Sequence, residues 1–128
     1  MFVIDGNGGM DELRAYARAG TANGTELWMQ ISHPGRQTPR RVCDHPVAPS
    51  AVPLALPASA FAPPRAMTAE EVADVPRRFA HTAAVAREAG FTGVQVHAAH
   101  GYLLSQFLTP LVNKREDRWG GDLAARAG

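Results

Sequence analysis

The run Val94-Gln95-Val96-His97-Ala98-Ala99-His100-Gly101-Tyr102 places two imidazoles and a phenol within six residues, directly after a short apolar segment. Proteins of the α/β class do their chemistry where strands stop and loops begin, at the carboxyl edge of the sheet. An imidazole can hold or move a proton, and a phenol is protonated at neutral pH and able to donate one. The i, i+3 spacing of His97 and His100 at a strand end can set both rings around one small acceptor. Gly101 lets the backbone turn sharply before Tyr102. The plain alternatives are histidines satisfied by backbone carbonyls and an ordinary half-buried tyrosine; the adjacency of all three favours a proton-handling site. A zinc site needs a third protein ligand. His33 could supply one, but the chain has no His-Glu-x-x-His pattern, and Cys43 is its single cysteine. No metal is assigned.

A second polar segment lies far upstream, Gln30-Ile31-Ser32-His33-Pro34-Gly35-Arg36-Gln37. The Gln30 carboxamide offers both a donor and an acceptor, which suits a heterocycle with alternating carbonyl and imide groups. Arg36 could bind an anion or pair locally. Asn113, Arg115, Asp117, Trp119, Gly120 and Gly121 read as loop architecture, and Leu103, Leu104, Phe107 and Leu108 as core. Nothing matches a phosphate-binding Walker loop, a Gly-rich dinucleotide fingerprint or a serine nucleophile elbow.

The elements that must position these residues follow from periodicity. Residues 12–19 read as a helix with Asp11 as N-cap, Gly20 past its end, and Leu13, Tyr16 and Ala17 on its apolar face. After an Asn23-Gly24 turn, residues 26–31 read as a buried strand. Residues 32–67 lack periodicity and hold six prolines between Pro46 and Pro64, the pattern of a lid-like functional loop. Thr68-Ala69-Glu70-Glu71 is a capping box. Val72, Val75, Phe79, Ala83 and Ala86 then mark one face of a helix ending near Gly90. Pro76 should kink or break it, at a cost of about 3 kcal/mol. Residues 93–96 form a second strand, and Leu103 to Leu108 a further short helix. A strand, helix, strand order with so long a connection implies a parallel pair, so both polar segments should reach one rim.

At 128 residues, with 13 Lys plus Arg against 12 Asp plus Glu, the chain carries no basic stripe for nucleic acid. No apolar stretch nears the roughly 20 residues of a membrane span. The opening Met1-Phe2-Val3-Ile4-Asp5 lacks signal-peptide layout. A lone cysteine suits a reducing compartment, and a cytoplasmic protein is expected.

Taken together, Trp28 to Gln37, Gly90 to Leu103, and Gln106-Phe107-Leu108 with Pro110, Asn113, Arg115, Asp117, Trp119, Gly120 and Gly121 strongly resemble the Old Yellow Enzyme family. The likeness is to its bacterial xenobiotic and ene-reductase branch, where the pair is His-His. The resemblance implies a (β/α)8 TIM barrel that binds FMN and takes its electrons from NAD(P)H. It implies that Gln30 bonds the flavin pyrimidine, that His97-Ala98-Ala99-His100 lines the substrate pocket, and that Tyr102 is the general acid. His97 and His100 would hold the carbonyl or nitro oxygen of the substrate. In the implied cycle NAD(P)H reduces FMN and leaves. The flavin then delivers hydride to the β carbon of an activated alkene while Tyr102 protonates the α carbon.

Residues 1–128 are accordingly expected to be the central fragment of one FMN-binding barrel domain, supplying about two of its eight parallel strands and inactive in isolation. The parent's oligomeric state is open, a homo-oligomer included. Two departures stand out: Pro76, where the family continues its helix with an aliphatic residue, and Asp122 to Gly128, which drifts from the family's usual continuation. Two readings from other classes stand beside this one, a non-catalytic binding or assembly module and a His-ligated metal hydrolase. Against the module, two parallel strands leave open edges and an unburied face.

Overall fold

The computed structural model describes residues 8–127; the stretch Met1–Asp5, where a signal peptide was sought, lies outside them. Besides two single-turn helices at Ala22–Gly24 and Gly35–Gln37, eight elements follow in order: α1 (Met10–Gly20), β1 (Trp28–Ile31), β2 (Val47–Ala48), β3 (Arg65–Ala66), α2 (Ala69–Ala89), β4 (Gly93–Val96), α3 (Leu103–Leu108) and α4 (Leu123–Ala127). The chain divides into two compact units, residues 1–31 with 74–96 and residues 32–73 with 97–128. None of the helices among the described residues is long and apolar enough to cross a membrane.

In the first unit, β1 and β4 pair in parallel with Trp28 opposite Gly93 and Ile31 opposite Val96. The expected parallel pair is therefore present, and both strands run to the same edge. Because strand side chains alternate, Met29 and Val94 share one face, and they pack against a core of Leu13, Ala17, Ala86, Ala89 and Phe91. Burying side chains such as Leu13 and Phe91 contributes about 1.5–3 kcal/mol each. Trp28, Gln30, Gly93 and Gln95 occupy the opposite face. The expectation of a buried β1 holds on one side only, since Trp28 is 63% exposed. A Cβ at Gly93 would approach the Trp28 ring to 2.8 Å, so only glycine admits the indole there.

The helix boundaries differ from expectation at α1, which begins at Met10 with Gly9 as N-cap (φ 81°). Asp11 is thus inside the first turn, where a carboxylate still complements the helix dipole, and it faces Arg14 at 3.5 Å. Thr21 closes the helix with its Oγ1 donating to the Ala17 carbonyl at 2.8 Å. Helix α2 runs unbroken through Pro76. Burial of Val72 and Val75 ahead of the proline and of Ala86 and Ala89 after it outweighs the missing backbone bond. The capping box is formed in both directions, Glu71 N to Thr68 Oγ1 at 3.2 Å and Thr68 N to Glu71 Oε2 at 2.9 Å.

In the second unit the Pro-rich segment, read from sequence as a lid-like loop, carries a short strand pairing and is tied down by hydrogen bonds from outside it. β2 and β3 pair in parallel, Val47 with Arg65 and Ala48 with Ala66. Arg36 Nη1 donates to the carbonyls of Val52 and Pro53, both at 3.0 Å. Arg115 Nη1 donates to those of Pro49 and Met67 at 3.0 and 2.7 Å. Prolines remove donors, so carbonyls in such a segment need outside partners, and arginine forks meet that need. Arg36 thus pairs with backbone through Nη1, while its buried Nε has no partner among the described residues.

Candidate active site: the loop between the second long strand and the third helix

His97 follows β4 directly, and its side chain is buried while Ala98, Ala99 and His100 are exposed. The His97 ring is the hub of three aromatic rings. Its centroid lies 5.0 Å from that of His100 and 5.0 Å from that of Tyr102, with both neighbours edge-on at 69° and 84°. Among the described residues, no hydrogen-bond partner reaches the imidazole nitrogens of His97 or His100 or the Tyr102 hydroxyl. Three polar groups are thus gathered without a protein hydrogen-bond partner among the described residues, next to an exposed backbone stretch that carries only alanine methyls. The structure therefore brings together three of the residues singled out from sequence, with Ala98 and Ala99 between them.

The backbone explains how six residues fold so tightly. His100 (φ 54°) and Gly101 (φ 71°) are successive residues in the left-handed region, which a histidine adopts only at a steric cost. Tyr102 N donates to the Ala99 carbonyl at 3.1 Å, closing the turn. Tyr102 then serves as N-cap of α3 in an extended conformation.

The polar segment after β1 meets this loop within the same unit, as the parallel strand order required. Leu103 N donates to the His33 carbonyl at 2.9 Å. Gln106, fully buried, spends its whole carboxamide here. Its Nε2 donates to the carbonyls of Gly101 at 2.6 Å and Pro34 at 3.2 Å, and its Oε1 accepts from Arg36 N at 3.3 Å. Gly35 (φ 59°) has to be glycine, because a Cβ there would land on the Gln106 carboxamide. Sequence reasoning placed Gln106 inside a family motif without a role. Its one sequence signal is a polar residue on the buried face of an otherwise apolar helix.

Gln30 belongs to the first unit, on the face of the sheet away from the helices. It is exposed, and its Nε2 donates to Oε1 of Gln95, its register partner, at 2.7 Å. Gln95 escaped notice because its significance lies in that cross-strand pairing. The two carboxamides expose both a donor end and an acceptor end, and either can flip to present the other.

His33 accepts from Gly35 N through Nδ1 at 3.0 Å. No group of three or more His, Cys, Asp or Glu side chains among the described residues is arranged to hold a metal ion. The downstream loop is architectural. Asn113 Nδ2 donates to the carbonyls of Phe107 and Trp119 at 2.9 and 2.7 Å. Arg115 donates to Asp117 through Nε and Nη2, at 2.9 and 2.5 Å. That bond holds the Asp117 carboxyl below its ordinary 3.8.

Residues 4–128 match the family model described as the NADH:flavin oxidoreductase / NADH oxidase family. The chain belongs to this family. It is 46% identical over 118 residues to the NADH-dependent flavin oxidoreductase nadA of Aspergillus parasiticus, covering 91% of this chain and 27% of that protein. It is 41% identical over 127 residues to the metal reductase of Desulforamulus reducens, covering 98% and 19% respectively. Against the NADPH dehydrogenase of a Geobacillus strain it is 36% identical over 112 residues, covering 88% and 32%. The chain thus spans between about a fifth and a third of the length of these three relatives.

Proposed function

We propose that this chain is a central part of a (β/α)8 flavoenzyme, an ene reductase that carries FMN and draws on NAD(P)H. In this reading it supplies the anion-stabilising pair and the proton donor of that enzyme. The observation that carries the reading is the ring cluster centred on His97, whose three polar groups have no partner among the described residues. Proton-handling side chains gathered at a strand's carboxyl end, reachable by solvent and not bonded to one another, are expected to meet a ligand.

The donor set fits one edge of a flavin. Exposed carboxamides at Gln30 and Gln95 can match the alternating carbonyl and imide groups of its pyrimidine ring. The chemistry that FMN supplies when bound is two-electron transfer from NAD(P)H to the activated alkene. His97 and His100 bind the carbonyl or nitro oxygen of the substrate through ring N–H groups, and they stabilise the negative charge that builds on it. A donor of that kind contributes about 10²–10³ in rate. Ala98 and Ala99 leave room for the substrate between them. Tyr102 donates its hydroxyl proton to the α carbon. A placed general acid contributes roughly 10²–10⁴.

The test uses the full-length flavoprotein. Tyr102→Phe slows flavin reoxidation by cyclohexenone by about 10²–10⁴ and leaves flavin reduction by NADPH nearly intact. If both half-reactions fall together, Tyr102 is not the proton donor.

A further inference from the structure

The imidazole of His100 is exposed, has no hydrogen-bond partner among the described residues and touches only the edge of the His97 ring, so its direction depends on its own backbone, which sits in the left-handed region at φ 54°. Something has to hold that backbone. Two consecutive carbonyls in the turn are each taken by a glutamine from elsewhere: Gly101 O by buried Gln106 at 2.6 Å and His100 O by Gln37 Nε2 at 2.8 Å. Gln37 closes the single-turn helix Gly35–Gln37, which Gln106 in turn anchors through Pro34 O and Arg36 N. The approach is close, since a Cβ at Gly101 would sit 2.8 Å from Gln37 Nε2. Gly101 is therefore required twice, for its positive φ and for the space that Gln37 uses.

We infer that Gln37 is a positioning residue, whose bond to the His100 carbonyl locks the left-handed turn and so aims the His100 imidazole relative to His97 and Tyr102. Gln37 has no role in the chemistry itself, and the inference rests on the reading of His97, His100 and Tyr102 given above. Gln106 makes the companion bond but is fully buried, so its loss would threaten the fold. Gln37 is half-exposed and can be changed alone. Glu is isosteric with Gln and presents the carbonyl with a second acceptor in place of a donor. Lys restores an N–H donor of similar reach.

The experiment compares Gln37→Glu, Gln37→Lys and Tyr102→Phe in the full-length flavoprotein. Stopped-flow reoxidation by cyclohexenone, the melting temperature, and deuterium uptake of the peptide spanning residues 97–103 are measured for each. Expected for Gln37→Glu is a three- to tenfold or so slower reoxidation, the range of a single neutral hydrogen bond. Faster deuterium uptake confined to that peptide and a drop in melting temperature of no more than a few degrees or so should accompany it, and Gln37→Lys should recover most of the rate. Wild-type reoxidation or unchanged uptake in Gln37→Glu overturns the inference. So does a loss that Lys fails to rescue, or one that comes with a larger drop in melting temperature and faster uptake throughout the protein. Tyr102→Phe separates the two levels. If it is slow while Gln37→Glu is normal, only the positioning role fails; if it too is normal, the active-site reading fails.

Discussion

Replacing Gly35 by alanine tests the junction on which the candidate site is built. Two costs combine. The left-handed backbone at φ 59° costs an L-residue about 1–2 kcal/mol. The added methyl also collides with the Gln106 carboxamide, whose bonds to Gly101 O, Pro34 O and Arg36 N are each worth about 0.5–1.5 kcal/mol net. Displacing the carboxamide puts the total at about 3–6 kcal/mol, a large part of the 5–15 or so that holds a typical domain. Gly121 is the matched control, since its φ is 75° and a Cβ there meets nothing within 4 Å. Gly121→Ala should cost only the backbone share, about 1–2 kcal/mol. Urea unfolding of full-length Gly35→Ala, Gly121→Ala, Gln106→Ala and the Gly35→Ala/Gln106→Ala double variant isolates the collision. With Gln106 shortened, Gly35→Ala should fall back toward the Gly121 value, a strongly non-additive cycle. Equal costs at Gly35 and Gly121, or an additive double variant, would refute the argument.

Asp117, held below its ordinary 3.8 chiefly by its bond to Arg115, gives a sign that can be checked. A carboxyl with a depressed folded-state pKa adds stability above the unfolded value and loses it as pH falls through the folded one. The stability gap between wild type and Asp117→Asn should therefore narrow as the pH of thermal melts drops below that ordinary value; a constant gap would count against the pair. Pro76→Ala should raise the melting temperature, because it restores the bond to the Val72 carbonyl in an exposed stretch of α2 and removes a penalty of up to about 3 kcal/mol. Thr68→Ala should cost about 1 kcal/mol by opening the capping box, read in the same melts. Gln30→Leu should weaken retention of FMN, measured as flavin released on dialysis, while the melting temperature of the flavin-free protein stays unchanged.

Much of this fold was legible from local patterns because those patterns are locally enforced. The capping box at Thr68 and Glu71, the strand 93–96 and the helix 103–108 depend on neighbours within one turn or one pleat, and each appears where its residues imply. Parallel pairing followed from connection length alone, and with it the meeting of the His33–Gln37 segment with the loop carrying His97, His100 and Tyr102. Where packing energy had to be weighed against a local rule, sequence reasoning stopped short. Pro76 argues for a kink or a break, and burial along both flanks of α2 rules out the break by carrying the helix through. Prolines 46–64 argue for a long lid-like loop, but not that Arg36 and Arg115, from outside the proline-rich stretch, supply the donors that it lacks.

The chain by itself determined its family, its parallel strands and which three side chains stand at the end of the second one, since all of these are written in residue types at short spacings. Only the tertiary structure decided that the rings of His100 and Tyr102 both turn edge-on to His97. It alone revealed that Gln37 and Gln106 hold the carbonyls between them, and that Gln30 is paired with Gln95. Those relations depend on which side chains and backbone groups are brought together once the segments pack, and no local pattern records that.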